Sequence, residues 1–261
     1  MRPERKPTAS RPLGARSLIT SLLLRTRPPR MRAARLVQWC GLFGVAEGTT
    51  RVALSRMVDR GELVAVDGIY ELAGRAEARR AAQDWSLAPI LRAWDGSWRL
   101  GIVEVGARAA DERAALRDAM RHLRHAELRE GVWCRPDNLP RASAPSAWWR
   151  IADEQCAWWT ATPAESVDQL ADRLFAPRRW TGRAGVLKAR LQNVTNALGS
   201  RGDDVIAVAF TTGAEVVAHI RADPLLPAEL NPVGASEELR AAYREYEAAF
   251  ADAARTWFRA R

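Results

Sequence analysis

The sequence predicts a multidomain α+β protein, and three observations predict it. The first 75 residues read as helix, helix, turn, helix and a short hairpin. From Trp94 the pattern becomes strand, helix, strand, strand, strand. From Pro163 apolar residues recur mostly at helical spacing. The chain has 261 residues, 48% hydrophobic and 27% charged. That composition is globular and excludes a wholly disordered chain, and the length suggests one to three domains.

The elements follow in order. Residues 1–14 are rich in Pro, Arg and Ser, as in a disordered basic tail. A short apolar helix spans about Ala15 to Leu24, and Arg25-Thr-Arg-Pro-Pro-Arg30 is a loop. A second helix runs from about Met31 to Leu42, with Leu36, Val37, Trp39 and Cys40 as its apolar side; Gly41 and Gly44 bracket its end. A third covers about Glu47 to Arg60, and Gly61 stops it. Leu63 to Leu72 reads as two strands around Asp67-Gly68, a pair that favours a type I′ turn. This succession describes a winged helix-turn-helix over residues 15–75. A two-residue tip of Asp and Gly offers no basic side chain, so the wing is expected to add little to binding.

A charged, Ala- and Arg-rich linker helix is expected over 76–93. In the middle region, 94–163, Asp95-Gly96 is a turn and Trp98 to Val105 a strand. Asp111 to Arg124 is a helix, with Leu116, Met120 and Leu123 on one side. Gly131 to Arg135 is a second strand, ended by Pro136; Trp148–Ile151 and Cys156–Thr162 are further strand candidates. Such an order suggests a small ferredoxin-like sheet. Residues 164–261 are expected to be mostly helical, with 204–220 ambiguous because Val205–Phe210 and Val216–Ile220 also fit strands. The last helix is the clearest. Leu239, Tyr243, Tyr246, Phe250, Ala253 and Trp257 form a seam that fits a dimer interface and an internal core stripe equally.

The net charge is +9 and the pI is near 10.5, which puts nucleic acid first among partners. Residues 1–80 hold 16 basic and 7 acidic side chains; residues 81–261 hold 24 of each. The excess therefore belongs to the N-terminal third. Arg2, Arg5, Lys6 and Arg11 lie in the tail, but nine more basic residues lie between Arg16 and Arg60, inside patterned sequence.

The third helix carries the functional reading. Thr50, Ala53, Leu54 and Met57 make one apolar face. Thr49, Arg51, Val52, Ser55 and Arg56 make the opposite one, with no acidic residue before Asp59 on that side. Arg reads a guanine edge in a bidentate way, Ser and Thr bond to bases or phosphates, and Val meets a thymine methyl. These five are the candidate groove-facing residues, since a recognition helix enters the major groove. Arg25, Arg27, Arg30, Arg32 and Arg35 are candidate phosphate contacts. Glu47, at the helix start, is expected to stabilise the helix dipole without facing the groove.

Other signals carry less. Cys40, Cys134 and Cys156 are odd in number and widely spaced, as for reduced thiols in a cytoplasmic protein. No secretory signal and no membrane span are expected. His122, His125 and Glu127 have a spacing a metal could use, but Arg121, Arg124 and Arg129 would repel a cation. Trp148-Trp149 and Trp158-Trp159 fit an aromatic ligand pocket or packing between domains. No G-x-S-x-G, P-loop, G-x-G-x-x-G or H-E-x-x-H occurs, so neither an enzyme nor a cofactor is expected.

Four blocks resemble the PaaX family, named for the repressor of phenylacetate-degradation genes. They are Thr50-Arg-Val-Ala-Leu-Ser-Arg-Met-Val-Asp-Arg-Gly61, Trp94-Asp-Gly-Ser-Trp-Arg-Leu100, Gly131-Val-Trp-Cys-Arg-Pro136 and Asp223-Pro-Leu-Leu-Pro-Ala-Glu-Leu230. They come in family order and span about residues 15–235. The resemblance implies an N-terminal winged helix, a middle domain like the small ferredoxin-fold CRISPR-associated nucleases, a helical C-terminal domain and a homodimer. It implies a repressor that binds a double-stranded DNA operator and is released by a small-molecule effector, an aryl acyl-CoA thioester in the best-known member. Two departures put that effector in doubt for this chain: Asn231-Pro-Val-Gly234 replaces a common Trp-Pro-Gly, and the basic run before the fourth block shrinks to His219 and Arg221. The alternative is a metal-dependent nuclease using the middle domain, with Glu104 as its acidic residue.

Overall fold

The structure, a computed structural model, describes residues 13–104, 106, 108–200, 202–231 and 234–261, without the side chains of 75–77. The basic tail up to residue 12, and Val105 at the end of the first middle strand, lie outside the described residues. The chain divides into two compact units, residues 1–80 and 81–261.

The first unit runs α1 (Ala15–Arg25), β1 (Arg30–Arg32), α2 (Ala33–Leu42), α3 (Glu47–Asp59), β2 (Leu63–Val66) and β3 (Ile69–Leu72). That is a winged helix-turn-helix with one more strand than expected. Arg30–Arg32 pair antiparallel with Ile69–Glu71, so the wing is a three-stranded sheet in the order β1-β3-β2. The second helix therefore starts at Ala33, not Met31. A three-residue strand has too little alternation to read from sequence. Asp67 and Gly68 both have positive φ, 49° and 71°, as a type I′ turn requires. The three helices bury Leu18, Ile19, Leu23, Leu36, Trp39 and Leu54 to at most 1% exposure, and each such side chain contributes about 1.5–3 kcal/mol.

Helix α4 (Arg75–Leu87) leads into the second unit. There β4 (Trp98–Val103), α5 (Ala110–His122), β5 (Ala126–Arg129), β6 (Val132–Pro136), α6 (Ser146–Asp153) and β7 (Cys156–Ala161) follow. The strands make an antiparallel sheet in the order β5-β6-β4-β7. This βαββαβ arrangement is ferredoxin-like, though two of its elements differ from expectation. Trp148–Ile151 is helical, not a strand: Pro145 precedes the helix, and Trp149 and Ala152 bury one side at helical spacing. Ala126–Arg129 is an unexpected edge strand, too charged to carry a strand signal.

Side chains alternate across the sheet. Trp133 and Cys156 join Leu116, Met120 and Trp149 in one core, while Trp98 and Cys134 join Leu170, Ala171 and Leu226 in another. Gly101 sits where a Cβ would lie 3.0 Å from the Trp158 ring. The chain continues as α7 (Val167–Phe175), α8 (Pro177–Ala197), α9 (Asp203–Arg221) and α10 (Ala235–Arg259). The ambiguous stretch 204–220 is one helix, because Ile206, Ala209, Phe210, Gly213, Val216, Val217 and Ile220 bury a single 3.6-residue face. The α10 seam is buried within the chain, from Leu239 and Tyr243 at 0% to Ala253 at 6%. It is core.

The block Asp223–Leu230 ties these layers together. Leu225 enters one core while Leu226 and Leu230 enter the other. The Asp223 carboxylate accepts from the Leu225 amide (2.9 Å), the Ser236 hydroxyl (2.5 Å) and the buried Arg240 guanidinium (2.7 Å). Arg135, fully buried, donates to the carbonyls of Leu225 (3.0 Å), Leu123 (3.3 Å) and Pro136 (3.0 Å) and to Asn138 Oδ1 (2.6 Å). Burial and nearby arginines push its pKa down to about 9, which still leaves it charged at neutral pH.

Candidate nucleic-acid interface

Helix α3 divides cleanly. Thr50, Leu54 and Met57 are buried, and Ala53 is half-buried. Thr49, Arg51, Val52, Ser55 and Arg56 are all exposed, Val52 by 50%. An exposed valine between two arginines is poor for solubility and suits apolar contact with a base. The Thr50 hydroxyl donates to the Ala46 carbonyl (3.2 Å), which ties the buried side of the first turn down. Cys40, free and buried, lies against Thr50; burial raises its pKa, and the hydroxyl opposes that rise.

Glu47 lies in the first turn of α3, where a carboxylate stabilises the helix dipole, and it also touches the polar face. Its carboxylate accepts from Arg51 Nε (2.8 Å) and lies 2.7 Å from Arg51 Nη2, with both side chains 60% exposed. The pair is i,i+4 with the acid N-terminal, the favourable orientation, and such a pair is worth about 0.3–0.5 kcal/mol. That is too weak to withhold Arg51 from a ligand and strong enough to bias its rotamer.

The five flanking arginines do not behave alike. Arg30 and Arg32 alternate outward on β1 around the inward Met31. With Arg35, on the first turn of α2, they line a cleft of about 310 Å³ floored by Met31 and Ile69. This gives the wing sheet basic side chains that its Asp-Gly tip lacks. Arg25 ends α1 and is half-buried. Arg27 donates to the carbonyls of Leu24 (3.0 Å) and Thr26 (3.3 Å), capping that helix. Sequence reasoning missed that Arg30, Arg32 and Arg35 share one cleft, because the strand joining them is short.

The discounted residues take ordinary places. His122 stacks on Trp148 at 4.5 Å between ring centroids. Glu104 is exposed just past the end of β4. Among the described residues no three His, Cys, Asp or Glu side chains group as a metal ion would need. None of the described helices is long and apolar enough to cross a membrane.

Residues 14–76 match the family described as PaaX-like protein, and residues 91–152 match the PaaX protein central Cas2-like domain. No curated protein matches. Among solved structures, the uncharacterized protein Rv0674 from Mycobacterium tuberculosis is 37% identical with a TM-score of 0.69, over 94% of this chain and 98% of that one. With both family segments in order and a solved relative matched almost end to end, the chain belongs to the PaaX-like family.

Proposed function

We propose that the protein is a sequence-specific, double-stranded-DNA-binding transcriptional regulator that acts as a repressor. Family membership supports a regulator-type protein. The observation that carries the DNA reading is the exposed face of α3: two arginines, two hydroxyls and a half-exposed valine on a helix anchored by its other side. In this reading Thr49, Arg51, Val52, Ser55 and Arg56 enter the major groove, while Arg30, Arg32 and Arg35 hold phosphates beside it. Arg25 and Arg27 add positive field from the end of α1. The protein works as a cytoplasmic homodimer on half-sites about 34 Å apart, or a multiple of that. A small molecule bound by the second unit releases it by favouring the state that fits DNA less well.

The test is selection of a preferred site from random duplexes, followed by titration of Arg51→Ala and Arg56→Ala. Each should weaken binding to the selected site by about 1–3 kcal/mol and relax preference at one position. Both side chains are exposed, so folding should be unchanged. Wild-type affinity and preference in both variants would remove α3 as the reader.

A further inference from the structure

The sheet of the second unit has two outer strands, β5 and β7, and they are built differently. β5 carries Glu127 and Arg129, both exposed, and its pairing with β6 is irregular between them. Charge and irregularity are the usual means by which a sheet edge discourages further pairing. β7 has neither. It pairs with β4 in unbroken register along all six of its residues. No charged residue occurs from Cys156 to Ala164, and Thr160 and Thr162 are exposed. Trp159, 59% exposed, is the one exposed tryptophan among the described residues. A regular, uncharged edge with a bare indole on it is a template for another strand.

The ladder fixes which backbone groups that template offers. The Glu104 amide donates to the Gln155 carbonyl (3.2 Å). Bonded pairs alternate along an antiparallel ladder, so Ala157, Trp159 and Ala161 turn their amides and carbonyls towards β4, opposite Ile102, Leu100 and Trp98. Trp158 and Thr160 turn theirs to the open edge. Side chains alternate between the two faces of the sheet, so Ala157, Trp159 and Ala161 share one face, an indole between two alanines.

We propose that β7 pairs with β7 of a second copy of this chain, antiparallel about a two-fold axis at Trp159. A second copy fits better than an unrelated strand because the segment complements itself. Run in opposite directions, two Ala157-Trp-Trp-Thr-Ala161 segments set Trp158 against the partner's Thr160 and Ala157 against the partner's Ala161. Trp158 and Thr160 are the residues with outward backbone groups, so both bonds of each such pair form, once on either side of the axis. Trp159 meets its own counterpart at a non-bonded position, where Cα atoms approach to about 4.5 Å and side chains lie closest. An aromatic pair stabilises such a position, and the alanines beside it leave room for the rings. No like charges meet along the strand. Two four-stranded sheets become one continuous sheet. The pairing stands on the edge itself; its service as the contact of a DNA-binding homodimer rests on the regulator reading above.

The experiment is sedimentation equilibrium of the full chain, with Trp159→Lys and Thr160→Pro beside wild type. Wild type should be a dimer. Trp159→Lys sets like charges opposite each other and should raise the dissociation constant about tenfold or more. Thr160→Pro removes an amide that faces the open edge and spares the bonds to β4. Its circular dichroism should match wild type while its dimer weakens by a similar factor. Cross-linking then reads the register, since the three native thiols are buried. Under mild oxidation Trp159→Cys should join to its own counterpart, whereas Ala157→Cys should cross-link only when mixed with Ala161→Cys. A monomeric wild type, or dimers as tight as wild type in both edge variants, overturns the proposal. So does cross-linking of Ala157→Cys alone as readily as Trp159→Cys. A dimer with the expected register that selects no DNA site would instead count against the regulator reading alone.

Discussion

Arg51 has two suitors, the Glu47 carboxylate one turn away and, in the proposed complex, a guanine edge. The carboxylate holds the guanidinium near the helix surface and adds a negative charge close to the DNA. Glu47→Gln removes both effects. Binding to any duplex should tighten several-fold at low salt, and the ratio of preferred to random site should fall, since a freed arginine finds phosphates as readily as bases. Fluorescence anisotropy on the two duplexes checks this; weaker binding to both would mean that Glu47 does not face the DNA. Stability should move by less than about 1 kcal/mol, as for exposed pairs.

The three histidines give a second residue-scale prediction. His125 is buried, bonds through Nδ1 to the Leu123 carbonyl (3.1 Å) and faces Arg135, Arg99 and Arg141, so its pKa falls well below 6.5. His122 and His219 are lowered too, first by burial and then by nearby arginines. The unfolded chain takes up protons below about pH 6.5 while the folded chain does not. Stability is therefore full above that value and is lost as pH falls beneath it. His125, the most deeply buried of the three, should account for most of that loss. Urea midpoints at the two pH values should differ, and His125→Gln should shrink the difference. Equal wild-type midpoints would show that His125 protonates in place.

At the scale of elements, α9 and α10 meet where Gly213 faces Tyr246. A Cβ at Gly213 would collide with the Tyr246 ring and its oxygen, whose hydroxyl donates to the Ala209 carbonyl (2.8 Å). Two effects compete in Gly213→Ala. Helix propensity gains about 1 kcal/mol; overpacking costs about 1–3 kcal/mol, and breaking the hydroxyl bond adds to that. The net change should be destabilising by 1–2 kcal/mol or so, seen as a lower urea midpoint with unchanged DNA affinity. A stabilised variant would mean that the two helices can part without loss.

Legibility in the sequence followed the strength of the local period. The α3 faces and the α10 seam were readable because buried and exposed residues recur every three or four positions in both. Asp67-Gly68 was readable because only residues tolerant of positive φ fill a type I′ turn. Trp148–Ile151 misled because four residues hold less than half a helical period beyond one turn, so aromatic propensity outweighed Pro145. Arg30–Arg32 and Ala126–Arg129 were illegible because they are strands by virtue of their partners, Ile69–Glu71 and Val132–Cys134.

Across the whole molecule, charge and fold divide the labour. The +9 excess lies in the first 80 residues, the unit that carries the exposed polar face of α3. The larger unit, neutral in sum, holds two layered cores locked by Arg135, Asp223 and Arg240. In the proposed function that division would give a reader whose affinity for DNA falls with salt and a body with no net attraction to it. The most direct test of the central claim is methylation protection of guanine N7 on a selected site, for wild type and for Arg56→Ala. Wild type should shield guanines in the major groove, and the variant should lose protection at one of them while keeping its neighbours. Protection identical in both proteins, or confined to the minor groove, would contradict the assignment of α3 as the element that reads the sequence.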